Sequence, residues 1–274
     1  MRYSSRKYID LIHSTSSKWA NWDPPHQIRV WRFVGDYGVI DKETGVLDKE
    51  GNIYDDPATA ELVMDYLPIE GAQETKFIIS SFGVRYQDLR LEPGIQLPAG
   101  LAEASIRGQW QFGKRRGALL IMSQPRSQHI PSNTFLKDLI GISKLKDKAL
   151  VTEVVSCPAY SLYLSGANEE TISIALIAGV PGIVPVATIG GEVGMSWWSR
   201  YSSGLFREAC DNAGKFSYTP LYALRKIRKP SLLRRRGSHT PDPEGDEVWG
   251  DYPEPWGDLD EDGEEEEFED EVYD

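Results

Sequence analysis

The sequence has few of the residues that most often mark an active site or a covalent scaffold. It contains two cysteines, Cys157 and Cys210, and four scattered histidines among 274 residues. The cysteines are too few for a disulfide framework and match no metal-ligand spacing. The chain also lacks the patterns G-x-S-x-G, G-x-x-x-x-G-K-S/T, H-E-x-x-H and C-x-x-C, which mark common hydrolase, nucleotide, zinc and redox sites. We therefore predict a protein that is not an enzyme and needs no metal or cofactor.

Basic residues are missing from the C-terminal part of the chain. Residues 241–274 contain 18 Asp and Glu side chains and no Lys or Arg. Because the whole chain has a net charge of −12, the first 240 residues carry 30 basic and 24 acidic groups, a net charge of +6. A segment so rich in Asp, Glu, Pro and Gly cannot bury enough apolar surface to fold alone. We predict a mildly basic body (1–229), a basic linker (230–241) and an acidic, disordered inhibitory tail (242–274).

Long apolar runs are also rare. The N-terminus leads into no apolar run of signal-peptide length, so we expect a cytoplasmic protein. Residues 171–191 contain 21 consecutive uncharged residues, which is long enough for a helix that spans a membrane. Pro181, Pro185 and four glycines disfavour one continuous helix there, whereas the β-branched residues favour strands. We predict a pair of strands joined by a Gly/Pro turn.

Strand patterns dominate the rest of the body. The clearest alternation runs from Ala104 to Phe112, where every second residue is apolar or glycine. We predict two long β-hairpin regions, at 77–122 and 149–200, and a closing strand at 216–228. Further predicted elements are helices at 3–19, 58–66, 133–140 and 205–212 and a strand at 28–34. The expected fold class is α+β, with antiparallel strands in the majority.

A cluster of cations ends the body. Residues 225–236 contain seven Lys and Arg side chains and no acid. Such a cluster suits nucleic-acid phosphates, a nuclear import signal or an anionic membrane, where each cation contributes about 1 kcal/mol. A solvated strand end is the simpler explanation for a charge run alone. The acidic tail favours regulation, because a tethered polyanion competes for a basic surface at high effective concentration.

The order of four segments resembles the gasdermin pore-forming domain. Residues 134–155 (TFLKDLIGISKLKDKALVTEVV) are similar to the family's basic helix and following strand, and residues 214–228 (GKFSYTPLYALRKIR) to its closing strand. Residues 35–54 and 108–122 are similar to short fungal gasdermin-like proteins of regulated cell death and heterokaryon incompatibility. The resemblance covers roughly residues 1–230.

The resemblance implies a gasdermin N-domain-like twisted antiparallel sheet with flanking helices and two insertable β-hairpins. It implies a protein that is cytoplasmic when inactive and that oligomerises with its own copies on acidic phospholipids of the plasma membrane. In animal members a protease cuts before an inhibitory C-terminal domain, and some fungal relatives are activated by a subtilisin-like protease that removes a short C-terminal piece. Other fungal relatives need no cleavage and respond to an incompatible partner allele; the tail and linker of this chain favour the protease route. This chain departs from the animal pattern, because it has a short tail instead of a bulky C-terminal domain.

Three groups of candidate residues follow from this reading. The lipid-binding candidates are Arg2, Arg6, Lys7, Lys114, Arg115, Arg116, Lys144, Lys146, Lys148, Arg225, Lys226, Arg228 and Lys229. The membrane-inserting candidates are Ile106, Trp110, Phe112, Ile172 and Ile174. The candidate cleavage sites are Leu232 and Leu233, because subtilisin-like proteases favour apolar residues before the bond; Arg234–Arg236 would suit a trypsin-like enzyme.

One alternative stays open. The chain could be a non-lytic, β-rich module that binds nucleic acid or carbohydrate and is regulated by its acidic tail. A nucleic-acid binder would lose affinity smoothly with salt, and a carbohydrate binder would use Trp197 or Trp198. Under the pore-forming reading, the expected partners are acidic phospholipids, a protease and further copies of the chain, with no nucleic acid.

Overall fold

Antiparallel strands are the commonest secondary structure of the described chain. The computed structural model describes residues 3–24, 34–89, 100–131, 133–166, 169–178, 194–228 and 249–266. The helices in these ranges are α1 (Ser4–Ser16), α2 (Ala60–Val63) and α3 (Asn133–Asp138), and two 3-10 turns follow, at Leu139–Gly141 and Ser143–Leu145. The strands are β1 (Trp19–Ala20), β2 (Asp36–Ile40), β3 (Leu47–Asn52), β4 (Ile69–Gln73), β5 (Lys76–Ser80), β6 (Arg85–Gln87), β7 (Ile106–Gln111), β8 (Ala118–Ser123), β9 (Arg126–His129), β10 (Ala149–Cys157), β11 (Ala159–Leu164), β12 (Thr171–Ala178), β13 (Met195–Arg200), β14 (Leu205–Cys210), β15 (Tyr218–Ile227) and β16 (Trp249–Asp251).

Four adjacent strands run through the middle of the fold. In sheet A the order is β15-β10-β9-β4, and in sheet B it is β14-β11-β8-β5. Each of these strands of sheet A is adjacent in sequence to the strand at the same place in sheet B: β15 to β14, β10 to β11, β9 to β8 and β4 to β5. The two sheets are therefore halves of one long sheet. The interruptions contain Pro125 and Pro158, and proline cannot donate a hydrogen bond to a ladder. Strands β1 and β16 pair with β15, and the β2–β3 hairpin joins β10 at the other side.

Sheet B is covered on both faces. Helix α1 lies against one face, where Tyr8, Ile9 and Ile12 share a core with alternate residues of β8 and β11. The opposite face, which includes Leu119 and Ile121, packs against sheet C, whose strand order is β13-β12-β7-β6. Double coverage explains why β8 is buried at every position, as is typical of a strand between two apolar layers.

Most predicted elements are confirmed, with shifted ends. Helix α1, the alternating strand β7 and strand β15 lie where the sequence predicts them, whereas the helix predicted at 58–66 is reduced to the single turn α2. The helix predicted at 205–212 is wrong, because that segment is strand β14. Most of the strand predicted at 28–34 lies outside the described residues.

The tail is the largest correction. Residues 249–266 do not lack structure: β16 extends sheet A, and Trp249 and Trp256 are buried in the main core. We call residues 249–266 the strap. The prediction of a tail without structure is therefore wrong for this part, because the aromatic residues between the acids supply the buried surface that the average composition lacks.

No helix in the described parts of the chain is long and apolar enough to cross a membrane.

Candidate functional site

Two hairpins, each folded back on itself, form the most distinctive feature of the body. In the first, β5 pairs with β8 and β6 pairs with β7, so the described residues between 76 and 123 (76–89 and 100–123) form the two arms of one hairpin, each with a bend in its middle. In the second, β11 pairs with β14 and β12 pairs with β13, over residues 159–210. The hairpin predicted at 77–122 is thus confirmed. The one predicted at 149–200 lies further along the chain, because β10 belongs to the central sheet.

The two bent hairpins lie side by side along the strands that the structure describes. We call the parts of the hairpins that belong to sheet B the near halves and the parts that belong to sheet C the far halves. The near halves pair through β8 and β11, and the far halves pair through β7 and β12. The bends are joined as well: the Phe112 N–H donates to the Glu170 carbonyl at 2.7 Å, and the Ser165 N–H donates to the Gly117 carbonyl at 2.9 Å. The two bent hairpins, with two arms each, therefore form a single unit.

Side chains stabilise the bend where the ladder is interrupted. The carboxylate of Glu170, which is only 4% exposed, accepts hydrogen bonds from the N–H groups of Gly166 at 2.7 Å and Ser203 at 2.8 Å. The hydroxyl groups of Ser165 and Ser81 accept from the N–H groups of Gly117 and Ala118. Because buried N–H groups need partners, these polar side chains keep the far halves folded over sheet B.

The five predicted membrane-inserting residues meet inside this unit. All are buried between sheets B and C, and Trp110 stands opposite Ile172 in the ladder while Ile174 stands opposite Gly108. Their burial alternates along β7 with the outward-facing Arg107, Gln109 and Gln111. The members of this list are Ile106, Trp110, Phe112, Ile172 and Ile174. In this state their apolar surface faces sheet B.

The contact between sheets B and C contains polar groups. The hydroxyl of Ser161 is buried and has no hydrogen-bond partner among the described residues. Glu208 lies opposite Ser161 on β14, between Phe206 and Cys210, which pack against the same core, but its own side chain is exposed at the edge of the contact. Partial burial raises the pKa of Glu208 to about 7. A buried hydroxyl without a hydrogen-bond partner costs free energy, so Ser161 makes this interface weaker than a purely apolar one.

The strap covers the basic side of helix α1. Arg6 and Lys7 are 5% and 7% exposed. Arg6 Nε donates to the Gly263 carbonyl at 2.8 Å, and Lys7 Nζ donates to the Leu259 carbonyl at 2.9 Å. Glu265 lies 3.5 Å from Arg6 Nη1 and 3.0 Å from Lys42 Nζ; this hydrogen bond with Lys42 is the main reason why the pKa of Glu265 is lowered. These two lipid-binding candidates are therefore occupied by the tail.

The candidates at 114–116 and 225–228 lie at or near the ends of the strap. Lys114 and Arg115 are exposed, while the N–H of Arg116 donates to Glu261 at 2.7 Å. Strand β16 pairs with β15 along Arg225, Lys226 and Ile227, and the ammonium of Lys226 lies 5.3 Å from the centre of the Tyr252 ring. The strap thus links three of the basic groups that the sequence singles out.

The fourth basic group, at residues 144–148, is largely paired within the body. Lys144 lies 2.8 Å from Asp56 and Lys148 lies 2.5 Å from Glu50. Hydrogen bonds, above all the one from Lys144, lower the pKa of Asp56 to about 2. Lys146 is exposed and lines a shallow pocket together with Arg228. Arg2, Lys229, Leu232 and Leu233 lie outside the described residues.

Sequence reasoning missed the aromatic residues that attach the tail. Trp249 Nε1 donates to the Leu136 carbonyl at 2.5 Å, and Trp256 Nε1 donates to Asp10 at 3.3 Å. The ring of Trp19 lies 5.8 Å from that of Trp256 and 6.1 Å from that of Tyr252. The available signal was the presence of large aromatic residues within an otherwise solvating acidic segment.

Within the ranges that the structure describes, no group of three or more His, Cys, Asp or Glu side chains could hold a metal ion. Comparison with known proteins finds no family model and no curated protein that matches the chain.

Proposed function

We propose that the chain is a latent pore-forming protein. Within that class we propose a gasdermin-like executioner of regulated cell death or heterokaryon incompatibility, with the N-domain fold of that family. After release from its tail, it binds acidic phospholipids, oligomerises and inserts its two hairpins, which permeabilises the plasma membrane. The observation that carries the proposal is the pair of bent hairpins, whose far halves hide their apolar faces against sheet B.

The lengths and patterns of the hairpin arms support insertion. A strand needs about 9–11 residues to cross a membrane, with apolar and polar residues alternating between its faces. Straightening the bends would place β7 with β8 (106–123) in one arm and β11 with β12 (159–178) in another, and each exceeds that length. Strand β7 already alternates between buried and exposed residues, and β12 carries no charge.

The strap supports latency. It occupies Arg6 and Lys7 and extends the sheet edge at β15. In the proposed mechanism, these groups become available to lipid head groups and to a neighbouring copy only after the strap leaves.

Removal of the tail is the direct test. Truncation after Arg236 changes the net charge from −12 to +6 and removes the strap. We expect dye leakage from vesicles containing acidic phospholipid with the truncated chain and little leakage with the full chain. Neutral vesicles serve as the control.

The same experiment distinguishes the pore-forming proposal from the non-lytic alternative. A nucleic-acid or carbohydrate-binding module would leave every vesicle intact in both forms. Equal leakage by the full and truncated chains would show that the tail does not inhibit.

A further inference from the structure

The strap makes contacts that do not depend on its high negative charge. Its first residues continue a β-ladder, in which Ile227 stands opposite Trp249 and Arg225 opposite Asp251. The ladder is extended by a hydrogen bond from the Tyr252 N–H to the Leu224 carbonyl at 3.0 Å. The side chain of Trp249 is 3% exposed. Main-chain pairing and an aromatic anchor are the usual means by which an extended peptide binds to a sheet edge.

The middle of the strap is fixed by a second aromatic anchor. Trp256 is 7% exposed, and its ring packs against Trp19 and helix α1 while its N–H donates to Asp10. His13, one turn further along the helix, contacts Glu254. Buried tryptophans at the centre of a contact commonly supply most of its binding energy.

The last part of the strap holds Arg6 and Lys7 through main-chain oxygens. These are the carbonyl groups of Gly263 and Leu259, so this contact does not depend on acidic side chains. Gly263 has a φ of +85°, and a Cβ atom there would lie 2.7 Å from the Tyr3 carbonyl oxygen. The position therefore requires glycine and fixes the register of the strap on the helix.

Several of the acidic side chains, in contrast, face solvent. Asp258, Glu264 and Glu266 are exposed. If net charge held the tail, these carboxylates would matter as much as the buried anchors. The geometry assigns the specific contacts to the ladder, the tryptophans and the carbonyl groups, and among the acidic side chains to the three that have partners, Glu254, Glu261 and Glu265.

We propose that α1, β1 and β15 form a peptide-binding groove that holds residues 249–266 even when the chain is cut between β15 and β16. The occupant is the chain's own strap. Cleavage in the linker then does not remove the inhibitor; it only converts a tethered ligand into a dissociable one. Activation requires a second step, in which the cut tail leaves or is displaced.

The consequence for activation rests on the proposed function, whereas the binding does not. A linker of this kind supplies an effective concentration on the order of 1 mM. After a cut, the free tail is present only at the protein concentration, about 1 µM in a typical assay, so the concentration of tail available to the groove falls by about 1000-fold. The tail stays in place only if the groove binds it with submicromolar affinity.

The test cuts the full chain after it has folded. A single protease recognition sequence replaces residues between 232 and 240, and the purified protein is cut and applied to a size-exclusion column at about 1 µM. We expect the two fragments to elute together. A fluorescent synthetic peptide of residues 246–274 then measures the affinity of the groove by exchange with the cut tail.

Two variants separate specific anchoring from charge. Trp256→Ala in the cut protein is expected to weaken tail binding by at least about 30-fold, the effect of a strong interface anchor. The matched control changes Asp258, Glu264 and Glu266 to the corresponding amides, which removes three negative charges and leaves the anchors intact. We expect this control to bind within about threefold of the unmodified tail, because exposed charges contribute little.

The results decide the proposal. Separation of the unmodified fragments at about 1 µM would overturn it, and so would equal weakening by Trp256→Ala and by the triple amide variant. If Trp256→Ala does not fold before cutting, Gly263→Val replaces it, since the added side chain collides with helix α1. If the groove holds the peptide but the tail-free body never leaks vesicles, the groove stands and the pore-forming function fails.

Discussion

Glu208 is an exposed carboxyl group on edge strand β14, beside the contact between two sheets that the proposed mechanism must separate. It lies on the face of β14 that carries Phe206 and Cys210, and partial burial raises its pKa to about 7. When the pKa of a carboxyl group is higher in the folded state than in the unfolded state, there is a pH range between the two values. In that range the group is protonated in the folded protein and ionised in the unfolded protein. Stability therefore falls as pH rises from about 4.5 to about 7.

Glu208→Gln should remove this pH dependence. We expect the variant to gain stability at pH 8 relative to the unmodified protein, by about 1 kcal/mol or less because the carboxylate still contacts solvent. The free energies of unfolding of the variant and of the unmodified protein should differ little below pH 4. Urea unfolding across this pH range measures the effect, with Glu61→Gln on the exposed side of α2 as the matched control. A constant difference at every pH would show that ionisation of Glu208 is not involved.

At the scale of secondary-structure elements, the bend between the near and far halves decides how firmly sheet C is held. The ladder is interrupted there, and Glu170 replaces it by accepting hydrogen bonds from Gly166 and Ser203. Tyr163 adds a hydrogen bond from its hydroxyl to the Ser203 carbonyl at 2.5 Å. At the bend, the far halves are thus attached by side-chain hydrogen bonds and isolated main-chain hydrogen bonds rather than by a continuous ladder, in addition to the apolar contact between sheets B and C.

Glu170→Ala should loosen sheet C selectively. Loss of the carboxylate removes two hydrogen bonds that a charged group accepts from the N–H groups of Gly166 and Ser203, a kind of bond that contributes about 1.5–3 kcal/mol. We expect faster amide exchange in β7 and β12 than in β10 and β11, measured by mass spectrometry. We also expect faster vesicle leakage by the truncated chain.

Glu169→Ala is the control for the bend, because Glu169 is the exposed neighbour of Glu170 and its main chain stays in place. Uniform acceleration of exchange in every strand would mean that Glu170 stabilises the whole fold rather than the attachment of sheet C. Substitution of Ile106 or Trp110 by Asp is a poorer test, since both are 2% exposed and the change would unfold the soluble form.

The elements differ in how far the sequence predicts them. Strand β7 is predictable because one face is buried and the other exposed, which produces alternation. Strand β14 is mistaken for a helix because both faces pack: Leu205 and Ala209 contact the main core, while Phe206 and Cys210 contact the second. The pairing of β7 with β12 joins residues about sixty positions apart, and no local pattern encodes it.

At the scale of the whole molecule, the charge asymmetry predicts a regulatory tail but not how the tail is attached. Composition separates a body of net charge +6 from an acidic segment. The attachment depends on Trp249, Tyr252, Trp256 and Gly263, and the average composition of the segment does not reveal the effect of these individual residues. Arg6 and Lys7 illustrate the difference, because the sequence singles them out as cations while the structure places them under main-chain carbonyl groups.

The connection between β15 and β16 should be the first part of the full chain that a protease cuts. Residues 229–241 have no periodic apolar pattern and include Pro230 and Gly237, features of accessible segments, whereas the described strands of the hairpins and the strap are bound in sheets and cores. We expect subtilisin at low concentration to cut first after Leu232 or Leu233, and trypsin within Arg234–Arg236, as identified by mass spectrometry. Denatured protein is the control, and it should be cut throughout. A first cut within 76–123, 159–210 or 249–266 would contradict the prediction, because it would place the most accessible segment in the hairpins or the strap and not in the linker.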